Sequence, residues 1–375
     1  MFSRSTKIVL AAALLGCAPR LAAVADEPVR NLLVYHNPEE FAGWPANEGL
    51  WCWGDEVLVG FNHGRYEDRG KKHSVTGEIG VTFARSLDGG LTWKREDHAE
   101  VRTPKAVGRP DKLPPFPAEV DFTHPDFAMK IRGRIAYLST NRGHGWGGPY
   151  RLPDTGHDID ARTSYIVTGP KSALFFFPAA LKNEKGEWSR SFVAETTDGG
   201  QTLQFLSWIG DDLAQTHPDE LAQKDSALFS TMPAAIRLPD GRLVCSIRNR
   251  VNRKKWSEIH ESRDGGKSWV KLCDLEQGST NPAALVSLGG EKIVAVYGNR
   301  RKIPTGIAAR ESSDGGRTWS PEVALRQDGR TWDLGYTRAM LRPDGKVLSV
   351  YYYTTGERPE QHIEATLWKP SLSVP

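Results

Sequence analysis

The chain spells Ser-x-Asp-Gly-Gly-x-Thr-Trp, or a near variant, four times: "SLDGGLTW" at Ser86–Trp93, "TTDGGQTL" at Thr196–Leu203, "SRDGGKSW" at Ser262–Trp269 and "SSDGGRTW" at Ser312–Trp319. A string that recurs restricts the fold more than any other feature, because each copy marks the same turn in a repeated unit. Aspartate accepts hydrogen bonds from a turn backbone, the glycine pair takes dihedrals closed to other residues, and tryptophan packs beneath the next strand. The string reads as a hairpin staple, so none of its residues is a catalytic candidate.

A second repeat consists of a Gly-bearing turn, a strand of β-branched and apolar residues, and a polar end. It stands at Gly54–Arg65, Arg132–Arg142, Pro239–Arg250, Gly289–Arg301 and Pro343–Tyr353, with a fainter copy at Asn183–Gly200. Units spaced by roughly 50–55 residues match blades of four short strands around an axis. The expected fold is all-β, a six-bladed β-propeller. Two irregular stretches, Lys94–Asp126 and Gly143–Asp160, interrupt the pattern and read as loops that wall a pocket. Apolar helical periodicity is weak, and at Asp211–Gln223 His217-Pro218 interrupts any helix.

The N-terminus has Arg4 and Lys7, an apolar run from Ile8 to Leu15, then small residues. That is the pattern of a secretory signal over residues 1–25, with residues 26–375 as one domain, and the run is too short to span a bilayer. "LLGC", ending at Cys17, also resembles a lipoprotein box, so a lipid anchor and plain export to the periplasm or exterior both stand. Beyond it only Cys52, Cys245 and Cys273 occur, which argues against a disulfide framework but leaves one bridge open. A formal charge of +3 over 375 residues, with dispersed basic side chains, does not call for nucleic acid. No ligand-spaced cluster calls for a metal, and no cofactor is expected.

The strand ends place Arg65, Arg142, Arg248, Arg250, Arg300 and Arg301 toward one rim, where guanidinium forks suit an anion; solvation or pairing with acidic neighbours is the plain alternative. "RTWDLGYTRAMLRPDG" puts Asp333, Tyr336 and Arg338 before the last repeated strand. Cationic neighbours lower a tyrosine pKa, which makes Tyr336 a candidate nucleophile or acid rather than only a packed phenol. "FTHPDFAMK" places His124 and Asp126 on one side of an extended chain, a carboxylate oriented by an imidazole, although His-Pro-Asp is also turn chemistry. "GWPANEGLWCWGDE" gathers three tryptophans, Trp51 among them, with Asn47 and Glu48, as carbohydrate sites and blade cores both do.

These residues resemble the sialidase (neuraminidase) superfamily of Asp-box, or BNR-repeat, propellers over nearly the whole mature chain. In that family three arginines hold a substrate carboxylate, a tyrosine paired with a glutamate is the nucleophile, and an aspartate is the acid/base. "GYTRAMLRPDGKVLSVYY" is similar to the family's nucleophile segment and implies that role for Tyr336; "LPDGRLVCSIR" resembles the strand ending in a substrate arginine, Arg248. The third arginine would be Arg300 or Arg301, with Arg301 and Arg338 taken as substrate-binding together with Arg248, His124, Asn47 and Trp51. Tyr336, Asp333, Asp126 and Glu48 form the catalytic pool. The family's Arg-Ile-Pro motif is absent, Met232 stands where the glutamate belongs, and the acid/base region offers only Asp68 and Glu78. The resemblance implies an exported glycoside hydrolase acting on an acidic or deoxy sugar of an extracellular glycan. A non-catalytic glycan-binding propeller and a polysaccharide lyase are the alternatives.

Overall fold

The computed structural model describes residues 29–279 and 281–372; the signal segment and Cys17 lie outside the described residues. The chain is all-β, arranged as consecutive antiparallel meanders in five sheets. Glu56–Tyr66 pairs with Val75–Ser86 and carries Glu40–Gly43 and Gly49–Trp53 on its other edge. Ala128–Arg132, Ile135–Ser139 and Gly147–Arg151 form a three-stranded sheet, so the irregular stretch after Gly143 contains a strand. The meanders Tyr165–Trp208 and Leu228–Gln277 are joined into one sheet by a two-residue parallel contact, Trp188 with Leu228 and Ser189 with Phe229. Ala284–Gly329 forms the next sheet, and Gly335–Trp368 takes the N-terminal strand Arg30–Tyr35 onto its outer edge.

Successive sheets share apolar cores. Phe175, Phe177 and Phe192 meet Met129 and Ile131; Val244 and Ile259 meet Ile293 and Ala295; Val294 and Val296 meet Val347 and Tyr351. The last sheet packs on the first through Leu348, Val350 and Tyr352 against Val59 and Phe61. Central strands are therefore covered on both faces, which is why Val347–Tyr353 and His362–Trp368 are buried throughout; the first reads as a nearly continuous apolar run, while the second buries His362, Glu364 and Thr366 between its apolar residues.

Each box is the staple its composition implies. In the first, the Ser86 hydroxyl donates to Asp88 at 2.7 Å, the N–H groups of Leu91 and Thr92 donate to Asp88 Oδ1 at 3.0 and 2.9 Å, and the Thr92 hydroxyl donates to Oδ2 at 2.6 Å. Gly90, at φ +92°, has no room for a Cβ, which would lie 2.6 Å from Leu348. A fifth staple is hidden at Ser139–Trp146, "STNRGHGW". Gly143 N–H donates to Ser139 Oγ at 2.8 Å and Gly145 N–H to Asn141 Oδ1 at 3.0 Å, while Arg142 takes the positive φ (59°) of the first glycine.

The faint repeat at Asn183–Gly200 needs correction. Its strand, Gly186–Thr196, runs into a box as Val75–Ser86 and Lys254–Ser262 do, and Ile135–Ser139 of the copy at Arg132–Arg142 likewise runs into the fifth staple; the counterparts of the other repeated strands are Ser172–Asn183, whose Phe175–Phe177 run is buried on both faces, and Ala128–Arg132. The stretch at Asp211–Gln223 forms two single turns, Leu213–Thr216 and Pro218–Leu221, broken at His217. Cys52, Cys245 and Cys273 are free, and no helix among the described residues is long and apolar enough to cross a membrane.

Candidate functional site

A cleft of about 870 Å³ opens among the first two sheets and their connecting loops, with Tyr336 from the last sheet among its lining. The short turn Pro45–Glu48 supplies Asn47 and Glu48, the long loop after Lys94 supplies Thr103–Ala106 through the turn Pro104–Val107, and the segment before Tyr165 supplies Asp160 and Arg162. Trp44 and His73 form an aromatic wall.

Tyr336 is set by its backbone. It lies at φ +47°, at a register shift between Gly335 and Arg338, and its N–H donates to the buried Asn281 Oδ1 at 3.2 Å. Gly335, at φ +99°, passes so close to the neighbouring sheet that a Cβ would lie 2.7 Å from Asn281 Oδ1 and 3.0 Å from the Gly298 Cα. Such strained positions persist where the surroundings over-determine them. Met232 takes the same kind of conformation, φ +54°, at the bulge of Leu228–Arg237.

Two arginines flank the phenol. Arg248 donates to Tyr336 Oη at 3.0 Å and lies over the ring at 5.7 Å, and Arg300 lies over it at 5.4 Å. Neither forms an ion pair with a carboxylate among the described residues, and the buried Arg248 Nε has no hydrogen-bond partner there. Burial raises the Tyr336 pKa, but Arg248, Arg300 and Arg162 outweigh it and hold the phenol below its ordinary value. Arg300 is anchored by the Leu334 carbonyl and by the Tyr352 hydroxyl at 2.8 Å. Tyr352 in turn donates to Asp333 at 2.7 Å.

Among the carboxylates, Glu48 is buried with Lys130, itself 0% exposed, at 2.7 Å. That contact departs from ideal hydrogen-bond geometry yet lies well inside ion-pair range. Burial pushes the Glu48 pKa up, and Lys130 and Arg132 bring it below the usual carboxylate value. Asp160 is shared by Arg162 at 2.6 Å and Arg132 at 2.9 Å, and Arg162 also donates to Asn47 Oδ1 at 2.8 Å. Asp333 sits behind the wall, 1% exposed.

Thus Tyr336, Glu48 and Asn47 line the cleft, with Arg248 and Asp333 in direct contact with lining residues. Five other candidates stand elsewhere. Arg301 turns outward onto Glu322 and Asn299, leaving its neighbour Arg300 at the phenol. Arg338 is half-buried, does not line the cleft, and donates to the Ala46 and Thr163 carbonyls, which fastens the turn Pro45–Glu48. Trp51 fills the core with Phe83 and Trp146. His124 and Asp126 lie in a turn, not an extended strand: Asp126 N–H donates to His124 Nδ1, and Asp126 is held by Arg142 at 2.6 Å, which also reaches Glu56. Of the rim arginines, Arg248, Arg250 and Arg300 share one neighbourhood, all acting on Lys255, whereas Arg142 is held by Asp126 and Glu56 and Arg301 by Glu322. Asp68 pairs with Arg330 at 3.0 Å, while Glu78 is exposed at the cleft. Trp44 belongs to the tryptophan-rich stretch and Asp160 ends the second irregular stretch, whereas no motif marks His73, Arg132 and Arg162 as site residues.

An all-β repeat scaffold stapled by Asp boxes, with an arginine-flanked tyrosine at its inner cleft, defines a sialidase-like protein. The chain belongs to the BNR repeat-like domain family, whose pattern matches residues 128–358, more than half of its length. It is similar in fold to a protein of unknown function from Dyadobacter fermentans DSM 18053, at 20% identity and a TM-score of 0.65 over 90% of this chain and 98% of that one. It also resembles the Hadza microbial sialidase Hz136, at 14% identity and a TM-score of 0.55 over 89% of this chain and 66% of that longer one. A third likeness is to the Penicillium chrysogenum α-L-arabinanase solved with arabinobiose, at 14% identity and 0.55 over 92% and 98%. At such identities the likeness establishes the fold. No curated protein sequence matches the chain.

Proposed function

We propose that this chain is an exported glycoside hydrolase acting on an anionic sugar of an extracellular glycan, with Tyr336 as nucleophile and Arg248 and Arg300 as receptors for the sugar's carboxylate. The observation that carries the reading is the Tyr336 phenol lining a large cleft against Arg248 and Arg300, neither paired with a carboxylate among the described residues, which together with Arg162 hold it below its ordinary pKa. A phenolate meets an anionic sugar with like charge, and the guanidinium groups of Arg248 and Arg300 beside it offset that repulsion. The meanders are taken as the six blades of a propeller spanning residues 26–375, supported by the core shared between last and first sheets and by Arg30–Tyr35 on the final sheet. Export rests on the signal-like segment, with a lipid anchor at Cys17 as its variant.

One observation favours a second reading. Met232, not a carboxylate, packs on Arg248, with Sδ 3.7 Å from Nη1, so nothing there takes the phenol proton as the family's glutamate would. A Tyr336 phenolate acting as base would make the enzyme a lyase. Residues 26–375 and the Tyr336→Phe variant, assayed on aryl glycosides of acidic and deoxy sugars and on matching polysaccharides, separate the cases. Sugar release lost in the variant supports hydrolysis, an ultraviolet-absorbing unsaturated product supports elimination, and binding without turnover supports a glycan-binding propeller.

A further inference from the structure

We propose that His73 is the proton-transferring residue of this cleft, giving a proton to the departing glycosidic oxygen and recovering one from water; the assignment rests on the hydrolase reading above. His73 stands between the strands Glu56–Tyr66 and Val75–Ser86, in the stretch where the family resemblance implies a carboxylate acid/base. It lines the cleft with its side chain 43% exposed, and Nδ1 lies 2.7 Å from Asp333 Oδ1. A buried carboxylate against Nδ1 fixes the Nδ1–H tautomer and leaves Nε2 as the atom that exchanges protons.

The ring cannot swing freely. Trp44 meets it edge-on at 5.0 Å and Trp332 lies 5.2 Å away on another side. Asp333 is itself oriented by the Tyr352 hydroxyl at 2.7 Å and Gln361 Nε2 at 3.3 Å. Tyr352 accepts from Arg300, which lies over the Tyr336 ring. Imidazole and phenol are therefore joined by one frame, hydrogen bonds from His73 through Asp333 and Tyr352 to Arg300 and a cation–π contact from Arg300 to the phenol, as paired catalytic groups require. The competing carboxylates are committed: Glu48 to Lys130, Asp160 to Arg132 and Arg162, Asp68 to Arg330. Exposed Glu78 is the one to exclude by experiment.

The proposed reaction requires Tyr336 Oη as the attacking phenolate oxygen and a proton on His73 Nε2. In the first step Tyr336 Oη bonds to the anomeric carbon, the bond to the leaving oxygen breaks, and that oxygen keeps the electron pair and takes the Nε2 proton. In the second, neutral Nε2 takes a proton from water as its oxygen bonds to the anomeric carbon, and Tyr336 departs as phenolate. Asp333 is a positioning residue throughout.

The test uses the phenyl and 2,4-dinitrophenyl glycosides of whichever anionic sugar wild type cleaves. His73→Gln is expected to lose about 100-fold or more on the phenyl glycoside, whose leaving group needs the proton, and less than about tenfold on the dinitrophenyl one, whose leaving group does not. The ratio of the two losses does not depend on the fraction of variant that folds. Equal losses on both, no loss on either, or a selective loss in Glu78→Gln instead would overturn the assignment while leaving the hydrolase reading intact. Absence of wild-type turnover on every glycoside would overturn both.

Discussion

Arg248 Nη1 lies 3.0 Å from the Tyr336 hydroxyl, across 88 residues of sequence. With Arg300 over the same ring, the contact turns an otherwise buried phenol into the one tyrosine whose resolved shift is downward among the described residues. Tyr35, Tyr297, Tyr351, Tyr352 and Tyr353 are all shifted upward, first by burial.

Ultraviolet titration should therefore show a phenolate forming below pH 10 in wild type and missing in Tyr336→Phe, and Arg248→Ala should move it upward. The linkage sign follows from a folded pKa below the unfolded one. The stabilisation is present above the unfolded value near 10 and is lost as pH falls through the folded value. An early-titrating tyrosine that survives Tyr336→Phe would contradict this.

Arg300→Ala should lower kcat/KM by about 100-fold or more, in line with losing a charged contact to a buried reacting group. Arg301→Ala, whose side chain faces Glu322, should stay within about twofold. Steady-state kinetics of the two neighbours decides which arginine serves the site.

Lys130→Met should cost about 3–5 kcal/mol in urea denaturation, because it leaves Glu48 buried without its partner. The pH response should also change sign. In wild type the Glu48 contribution is present above its unfolded value near 4.5 and lost on acidification through the lower folded value. In the variant burial dominates, the folded pKa lies above the unfolded one, and acidification from neutral pH should stabilise.

Asp88→Ala should cost about 1–2 kcal/mol, toward the low end for charged hydrogen bonds because solvent screens an outlying staple. Burial raises the Asp88 pKa, but bonds from Thr92, Ser86 and Leu91 pull it to about 2. The wild-type contribution is present above pH 3.8 and fades toward about 2, so the gap between wild type and variant should close there. Acid denaturation curves that stay parallel would refute the staple's charge dependence.

Much of the architecture is legible because it is local. The box aspartates bond only to residues two to four positions away, so the four strings declare their turns, and all-β organisation follows from the strands between them. The fifth staple escaped notice because Asn141 replaces the aspartate and Arg142 the first glycine, although the Ser139 hydroxyl makes the same bonds. The copies at Arg132–Arg142 and Asn183–Gly200 fall one strand late, because the residues around a box are polar and turn-rich wherever the box falls.

The site obeys different rules. Alternation along an extended chain sends Arg300 to the phenol and Arg301 to Glu322, and spacing alone does not say which. His73 and Asp333 are 260 residues apart, and Arg338 reaches Ala46 across 292. By itself the sequence determined the staples, the strand-rich repeat and the tyrosine segment, since each depends on hydrogen bonds and steric limits within a few residues. Which arginines stay unpaired, which carboxylates are neutralised and which imidazole faces the cleft were decided by tertiary structure, because charge pairing and burial act between side chains that only the packed sheets bring together.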